Sequence, residues 1–387
     1  MPLKKRKTIK ELDVEKKKAL VRCDFNVSLD DDGNIVSDLR IRQTLPTIKY
    51  LLKKKSKIIL ISHFGSKGKS IYPVKERLEK LLRRKIDFAE SCIGEEVEEK
   101  VNNMKEGSIL LLENVRIYKE EKENSLRFGK KLASLAEVYI NDAFSVSHRD
   151  HASVTKPPLF LPSATGFLME KEINLLDEAS KNPKRPVVAI IGGAKVESKI
   201  STVNYFLEKA DHVLLGGKLA NMVLIVRKIA FNLPWPEKEI VKATEKIDYT
   251  SSKLHIPVDV IVSLDDTGKK RVEETGPAKV KKQEDIYDIG SETIKLYGEI
   301  INEARTIIWA GPLGLSERKA FETGTREIGE IIAGNKKALK IVGGGDTVKA
   351  LEKFNLIKKF DLVSCAGGAM LVYINKGPMP GIKALEQ

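Results

Sequence analysis

Short apolar runs rich in β-branched residues recur along the chain, each ending in Gly, Asn, Asp, His or Ser before a helix-like segment. In the first half these runs are Ala19–Val27, Lys57–Phe64, Ser108–Val115 and Glu137–Phe144. In the second half they are Pro186–Gly193, His212–Gly217, Ile256–Ser263, Thr306–Gly311, Lys340–Gly345 and Asp361–Gly368. Ile58-Ile59-Leu60-Ile61 and Val187-Val188-Ala189-Ile190-Ile191 are apolar at every position, not at alternate ones. Such runs need cover on both faces, the condition of strands in a parallel sheet sandwiched by helices. Pro73–Arg83 and Ser125–Ala136 place apolar residues three and four apart and read as amphipathic helices. The pattern predicts an α/β fold of two doubly wound, Rossmann-like parallel-sheet domains.

The halves meet around Ala164–Arg185. Gly166–Ala179 reads as one long helix, which Asn182-Pro183-Lys184-Arg185-Pro186 ends before the next strand. This predicts a first domain over 1–165, a helix and hinge over 166–183 and a second domain from 184 to 364. A cleft is expected between the domains, with ligands beyond the carboxyl ends of the strands.

Composition narrows the class. The 387 residues, 42% apolar and 32% charged, describe a soluble globular protein of two cores. No stretch approaches the ~20 apolar residues of a membrane span. Met1–Lys10 is basic and leads into no apolar signal core, so export is not expected. Three scattered cysteines, Cys23, Cys92 and Cys365, fit reduced thiols in a cytoplasm. The net charge of +14 attracts polyanions. Nucleic acid, phosphorylated small substrates and a Lys/Glu-rich surface of the heat-adapted kind all fit it. The basic runs Lys4-Lys5-Arg6-Lys7 and Lys53-Lys54-Lys55 lack interleaved aromatics for base stacking. They read as a solvated tail and a helix end.

Chemistry gathers at the strand ends. Arg22-Cys23-Asp24-Phe25-Asn26 closes the first strand, and Asp24 and Asn26, two apart, project to one side of an extended segment. Arg40, Arg42, His63, Arg116 and His148-Arg149-Asp150-His151 follow at or beyond successive strands. Parallel strands bring these ends together, and clustered guanidiniums hold phosphate or carboxylate by paired hydrogen bonds. His148 and His151 have a metal-ligand spacing, but no third ligand of suitable spacing accompanies them.

The second half carries glycines at the same points. Gly192-Gly193-Ala194-Lys195-Val196-Glu197-Ser198-Lys199 follows a strand and opens a helix, where freed backbone N–H groups favour an anion. Lys195 and Lys199, four apart, are expected on one helical face, where they oppose the macrodipole until an anion removes the conflict. Gly343-Gly344-Gly345-Asp346-Thr347 repeats the device, with Asp346 set to hold Mg²⁺ on a polyphosphate. Trp309–Gly314 and Cys365-Ala366-Gly367-Gly368 complete a glycine rim. The Walker pattern, the dinucleotide fingerprint in its proper context and the protein-kinase motifs are absent. An Arg/His anion pocket and a nucleotide-phosphate cradle together predict phosphoryl transfer.

These segments, taken in order, resemble the phosphoglycerate kinase family over nearly the whole chain. The resemblance rests on Asp24-Phe25-Asn26-Val27, Arg40-Ile41-Arg42, Ser62-His63-Phe64-Gly65, Leu112-Glu113-Asn114-Val115-Arg116, Asn141-Asp142-Ala143-Phe144 and His148-Arg149. It continues through Gly192–Val196, Gly311-Pro312-Leu313-Gly314 and Gly343–Thr347. Leu215-Gly216-Gly217-Lys218-Leu219-Ala220-Asn221 and Pro257-Val258-Asp259 are similar to archaeal members. The resemblance implies Mg²⁺-dependent exchange of ATP and 3-phosphoglycerate with ADP and 1,3-bisphosphoglycerate, in a cytoplasmic monomer or homodimer with no nucleic-acid or membrane partner. It implies that Asp24, Asn26, Arg40, His63, Arg116 and Arg149 hold 3-phosphoglycerate. It implies Lys195 and Lys199 at the transferring phosphoryl group, Arg40 joining them in catalysis. Gly344, Gly345 and Thr347 would contact phosphates, Asp346 the metal and Glu317 the ribose. The segment from about Cys365 to Gln387 resembles the family's tail, which packs back on the first domain.

Four positions depart from the family pattern. Ser66 stands where an arginine is usual, Ala310 replaces an asparagine, and Lys218 and Ala366 each replace a glycine. A basic nucleic-acid-binding protein and a kinase fold that binds nucleotide without turnover are the rival readings; a phosphotransfer assay separates both from an active kinase.

Overall fold

The computed structural model describes residues 6–65 and 69–386. These form two compact units, one running to Asn174 and taking in the chain again from Lys376, the other spanning Leu175–Asn375.

The first unit holds six strands: β1 (Lys18–Arg22), β2 (Lys57–Ile61), β3 (Asp87–Ala89), β4 (Ile109–Leu112), β5 (Val138–Asn141) and β6 (Ser163–Thr165). All pair in parallel in the order β3-β4-β2-β1-β5-β6. Ile58, Ile59, Leu60 and Ile61 are fully buried, as unbroken apolar runs require. Ile41, Ile48 and Leu51 on one face of the Leu39–Lys53 helix join Ala19, Val21, Ile58 and Leu60 in one core. Each such side chain contributes roughly 1.5–3 kcal/mol by its burial. The strand order reverses at β1, between β2 and β5, and the carboxyl ends of these three strands lead into Asp24, His63 and Ser145. Such a reversal leaves a crevice for ligands.

The second unit contains β7 (Val187–Ile191), β8 (His212–Leu215), β9 (Leu254–His255), β10 (Val260–Ser263), β11 (Val272–Thr275), β12 (Asp285–Ile289), β13 (Thr306–Ala310), β14 (Leu339–Gly343) and β15 (Leu362–Ser364). Six of them form a parallel sheet in the order β15-β14-β13-β7-β8-β9. The other three make a separate antiparallel sheet, β11-β10-β12. This corrects the expectation for Ile256–Ser263 as a strand of the parallel sheet. The parallel edge strand stops at His255, Pro257 interrupts the run, and Asp259 caps the Ser291–Glu303 helix by accepting from Glu292 N at 2.9 Å and Thr293 N at 2.8 Å. Only Val260 onward is left to pair, and it pairs in the small sheet.

The Phe167–Lys181 helix spans the boundary between the units. Its first turn is capped from β5: Asp142 Oδ1 accepts from Leu168 N at 2.9 Å and Met169 N at 3.1 Å. The chain rejoins the first unit at Lys376 rather than at Cys365. The Gly367–Lys376 helix lies in the second unit up to Asn375; there Tyr373 donates to Asp177 at 2.7 Å and Met370 packs where a Gly343 side chain would stand. Beyond it, Gly381 N donates to Ser147 O at 2.9 Å and Arg6 pairs with Glu386 at 3.0 Å.

Candidate active site

In the first unit, the stretch after β1 turns Asp24 toward Arg40, whose guanidinium bonds the Asp24 carboxylate. Ser145, beyond β5, donates to the same carboxylate at 2.5 Å. Asn26 accepts from Gly65 N at 2.7 Å, tying the β1 end to the loop after β2. His63 is buried, and its pKa lies well below the ordinary value. Burial is the main cause; the charges of Arg22, Arg116, Arg40 and Arg149 add to it, and Arg22 Nη2 lies 3.4 Å from His63 Nδ1.

Arg116 follows β4, donates to Gly65 O at 3.1 Å and keeps a buried Nε without a partner. Burial, then the nearby Arg149 and Arg22 charges, bring its pKa down to about 10. Arg149 is exposed and reaches His148 Nε2 at 3.3 Å. Crowded like charges with a buried donor unsatisfied form a site in want of an anion.

The sequence points to Arg40, Arg116 and Arg149 and carries no signal for what lies behind them. Arg22 is fully buried and donates to Ser153 Oγ at 2.8 Å, and Ser153 in turn donates to the fully buried Glu121 at 2.7 Å. Glu121 sits in Lys119-Glu120-Glu121-Lys122, which looks like a solvated charge run; no periodicity in so short a helix marks one of its acids as interior.

In the second unit, β7 lies between β13 and β8, another reversal of strand order. Three glycine loops follow β7, β13 and β14. Gly311 has φ +103°, and a Cβ there would stand 2.1 Å from Gly192 O and 2.3 Å from Lys199 Nζ, so the two loops touch through backbone alone. Lys199 Nζ donates to the carbonyls of Gly192 and Ala310, the second at 2.8 Å. Its burial brings the ammonium pKa down to about 8, and the nearby Asp346 carboxylate opposes that.

The lysines are not on one helical face. The helix begins at Glu197, leaving Lys195 exposed in the preceding loop while Lys199 turns back under it. Val196 N bonds Ala194 O and Lys199 N bonds Val196 O, tight turns that hold off the helix start.

Gly345–Lys353 is the helix after β14. Its first turn exposes Gly345 and Asp346, while Thr347 is buried and accepts from Gly311 N at 2.9 Å. That leaves the Thr347 hydroxyl proton for another acceptor. Glu317 and Lys218 are exposed; Ala310 and Ala366 are buried. Ser66 lies outside the described residues. Among the described residues no three His, Cys, Asp or Glu side chains gather as a metal site. A lone exposed carboxylate at Asp346 fits Mg²⁺, which takes one or two protein oxygens and completes its shell with phosphates and water.

Comparison with known proteins places the chain in a family. The family model described as phosphoglycerate kinase matches residues 9–376. The phosphoglycerate kinase of Dictyoglomus turgidum is 41% identical, covering 98% of this chain and 99% of its own. The solved phosphoglycerate kinase of Coxiella burnetii superposes with TM-score 0.83 at 33% identity, covering 98% of this chain and 99% of its own. That of Pyrococcus horikoshii OT3 superposes with TM-score 0.87 at 30% identity, covering 98% of each. The relatives are mostly bacterial, so the likeness of Leu215–Asn221 to archaeal members does not extend to the whole chain. With glycine loops and an arginine cluster at its two reversals of strand order, the chain belongs to the phosphoglycerate kinase family.

Proposed function

We propose that this chain transfers the γ-phosphoryl group of ATP reversibly to the carboxylate of 3-phosphoglycerate, giving ADP and 1,3-bisphosphoglycerate. The observation that carries the reading is the pair of anion-seeking sites on one chain of this family. One is the arginine cluster around His63; the other is the set of glycine loops around Lys199.

The acceptor is a carboxylate of pKa ~3.5, already ionised at neutral pH, so no general base is required. Catalysis then consists of alignment and charge neutralisation on the equatorial oxygens. Asp24, Asn26, His63, Arg116 and Arg149 hold 3-phosphoglycerate in this reading. Arg40 and Lys195, with Lys199, stabilise the phosphoryl group in transfer. Gly344, Gly345 and Thr347 bind nucleotide phosphates, and Glu317 binds the ribose. Asp346 would hold Mg²⁺, which when bound neutralises phosphate charge. The reaction also requires that water be kept from the acyl phosphate, which it would hydrolyse.

The chain works as a monomer or homodimer in the cytoplasm. Its cysteines are free, and no helix among the described residues is long and apolar enough to cross a membrane. Within the archaeal-like stretch Leu215–Asn221, Lys218 adds a cation near the nucleotide in this reading.

The test is incubation with Mg-ATP and 3-phosphoglycerate in the presence of hydroxylamine, which captures acyl phosphate as the hydroxamate. Wild type should form it, and Arg40→Ala and Lys195→Ala should not. No hydroxamate from folded wild type would refute the assignment.

A further inference from the structure

Behind the arginine cluster runs a buried chain of polar groups with a fixed direction. Glu121, Ser153 and Arg22 are all fully buried. Glu121 accepts from Ser153 N at 2.8 Å and Ser153 Oγ at 2.7 Å. Ser153 Oγ lies 2.8 Å from Arg22 Nε, and Arg22 Nη2 lies 3.4 Å from His63 Nδ1. Arginine has donors only, so Ser153 Oγ must accept from it, and the single hydroxyl proton then goes to Glu121. By the same rule the His63 atom facing Arg22 must accept. A neutral imidazole that accepts at Nδ1 carries its proton on Nε2.

We infer that Glu121 and Ser153 are positioning residues which, through Arg22, hold His63 as the neutral Nε2–H tautomer that donates to the anionic acceptor substrate. The role of His63 toward substrate rests on the function proposed above; the tautomer does not. Burial and the surrounding Arg22, Arg116, Arg40 and Arg149 keep the ring uncharged, so the tautomer is what remains to be set. Glu121 is suited to anchor the relay. The imidazole beside it, His151 at 3.8 Å, is itself held down to about pKa 4, first by burial and then by arginines, and so stays neutral. The carboxylate is therefore engaged by Ser153 and faces the buried Arg22 charge across one hydroxyl.

The full-length, ligand-free protein labelled with ¹⁵N at histidine tests this by long-range ¹H–¹⁵N correlation at neutral pH. His63→Asn identifies the His63 signals among those of the five histidines. Wild type should show His63 wholly as Nε2–H. Ser153→Ala and Glu121→Gln should show mixed tautomers, with KM for 3-phosphoglycerate raised about tenfold, the weight of one hydrogen bond to a charged group. KM for ATP should stay within twofold. Ser153→Thr keeps the hydroxyl and should restore both readouts, which a packing role for Ser153 would not. An Nδ1–H tautomer in wild type, or an undisturbed Nε2–H in both folded variants, overturns the inference. Because the tautomer is read without substrate, a failed transfer assay would defeat the proposed function and leave the relay standing.

Discussion

Arg40 and Asp24 are joined by a hydrogen-bonded ion pair at the mouth of the arginine cluster, with Ser145 donating to the same carboxylate at 2.5 Å. Asp24 is buried and supplies negative charge among guanidiniums. An arriving carboxylate or phosphate competes with it for Arg40, while a substrate hydroxyl can use it as acceptor. Asp24→Asn separates these effects. With the charge gone, inorganic sulfate should bind the unit more tightly. 3-Phosphoglycerate, deprived of its hydroxyl acceptor, should lose roughly 10–100-fold in kcat/KM. Steady-state kinetics and sulfate competition check both arms, and parallel weakening of the two anions would contradict the argument.

Lys199 makes a pH prediction. Its ammonium is held at about 8 by burial, below the usual lysine value. Bound phosphate favours the charged form, so the pKa rises on binding and a proton is taken up above pH 8. ATP affinity should therefore be flat with respect to this group below pH 7. It should weaken from pH 8 upward by at most about tenfold per unit. Calorimetry in buffers of different ionisation enthalpy should detect uptake approaching one proton near pH 9. Lys199→Arg, which cannot discharge, should abolish the uptake. Equal heats in both buffers for wild type would exclude the lysine as a phosphate ligand.

The parallel strands and the cationic strand ends were legible in the sequence because burial on both faces forces unbroken apolar runs and function concentrates where those runs stop. Ile58–Ile61 and Val187–Ile191 carry that signal in their composition alone. The antiparallel sheet was not legible. Val272-Glu273-Glu274-Thr275 has no apolar alternation to show, and Ile256–Ser263 is divided by a helix cap supplied by Asp259 from a distance. Lys195 and Lys199 have helical spacing, yet the tight turns from Ala194 to Lys199 delay the helix to Glu197, and residue spacing alone does not show them. Glu121 was invisible for a related reason: its neighbours Lys119, Glu120 and Lys122 have the composition of a surface.

Asp288 should tie stability to pH. Its buried carboxyl is pushed up to about 7, burial outweighing the bonds from Gly324 N at 2.7 Å and Ile289 N at 2.9 Å. The unfolded chain releases this proton near pH 4 and the folded one near 7. Between those values the folded state binds more protons, and stability falls as pH rises. The contribution is on the order of 4 kcal/mol at most. Asp288→Asn removes the titration. Urea midpoints of wild type and variant should therefore compare more favourably for wild type at pH 5 than at pH 8. A difference independent of pH would show that the carboxyl titrates normally.

Gly311 and Gly345 both follow strands of the parallel sheet in the glycine loops, and the structure gives them opposite sensitivities. At Gly311 a methyl group would collide with Gly192 O and Lys199 Nζ at a φ that disfavours any side chain. Gly311→Ala should lower stability by roughly 2–3 kcal/mol from overpacking and left-handed strain, and raise KM for ATP by displacing Lys199. At Gly345 nothing lies within 4 Å of the added carbon, and the residue opens a helix. Alanine is a better helix former, so Gly345→Ala should leave the melting temperature unchanged or slightly raised. If the first-turn N–H groups receive phosphate, the same methyl occupies the approach of the nucleotide, and KM for ATP should rise while KM for 3-phosphoglycerate stays put. A Gly345→Ala enzyme with wild-type ATP kinetics would move the phosphates away from this helix end, whatever its stability.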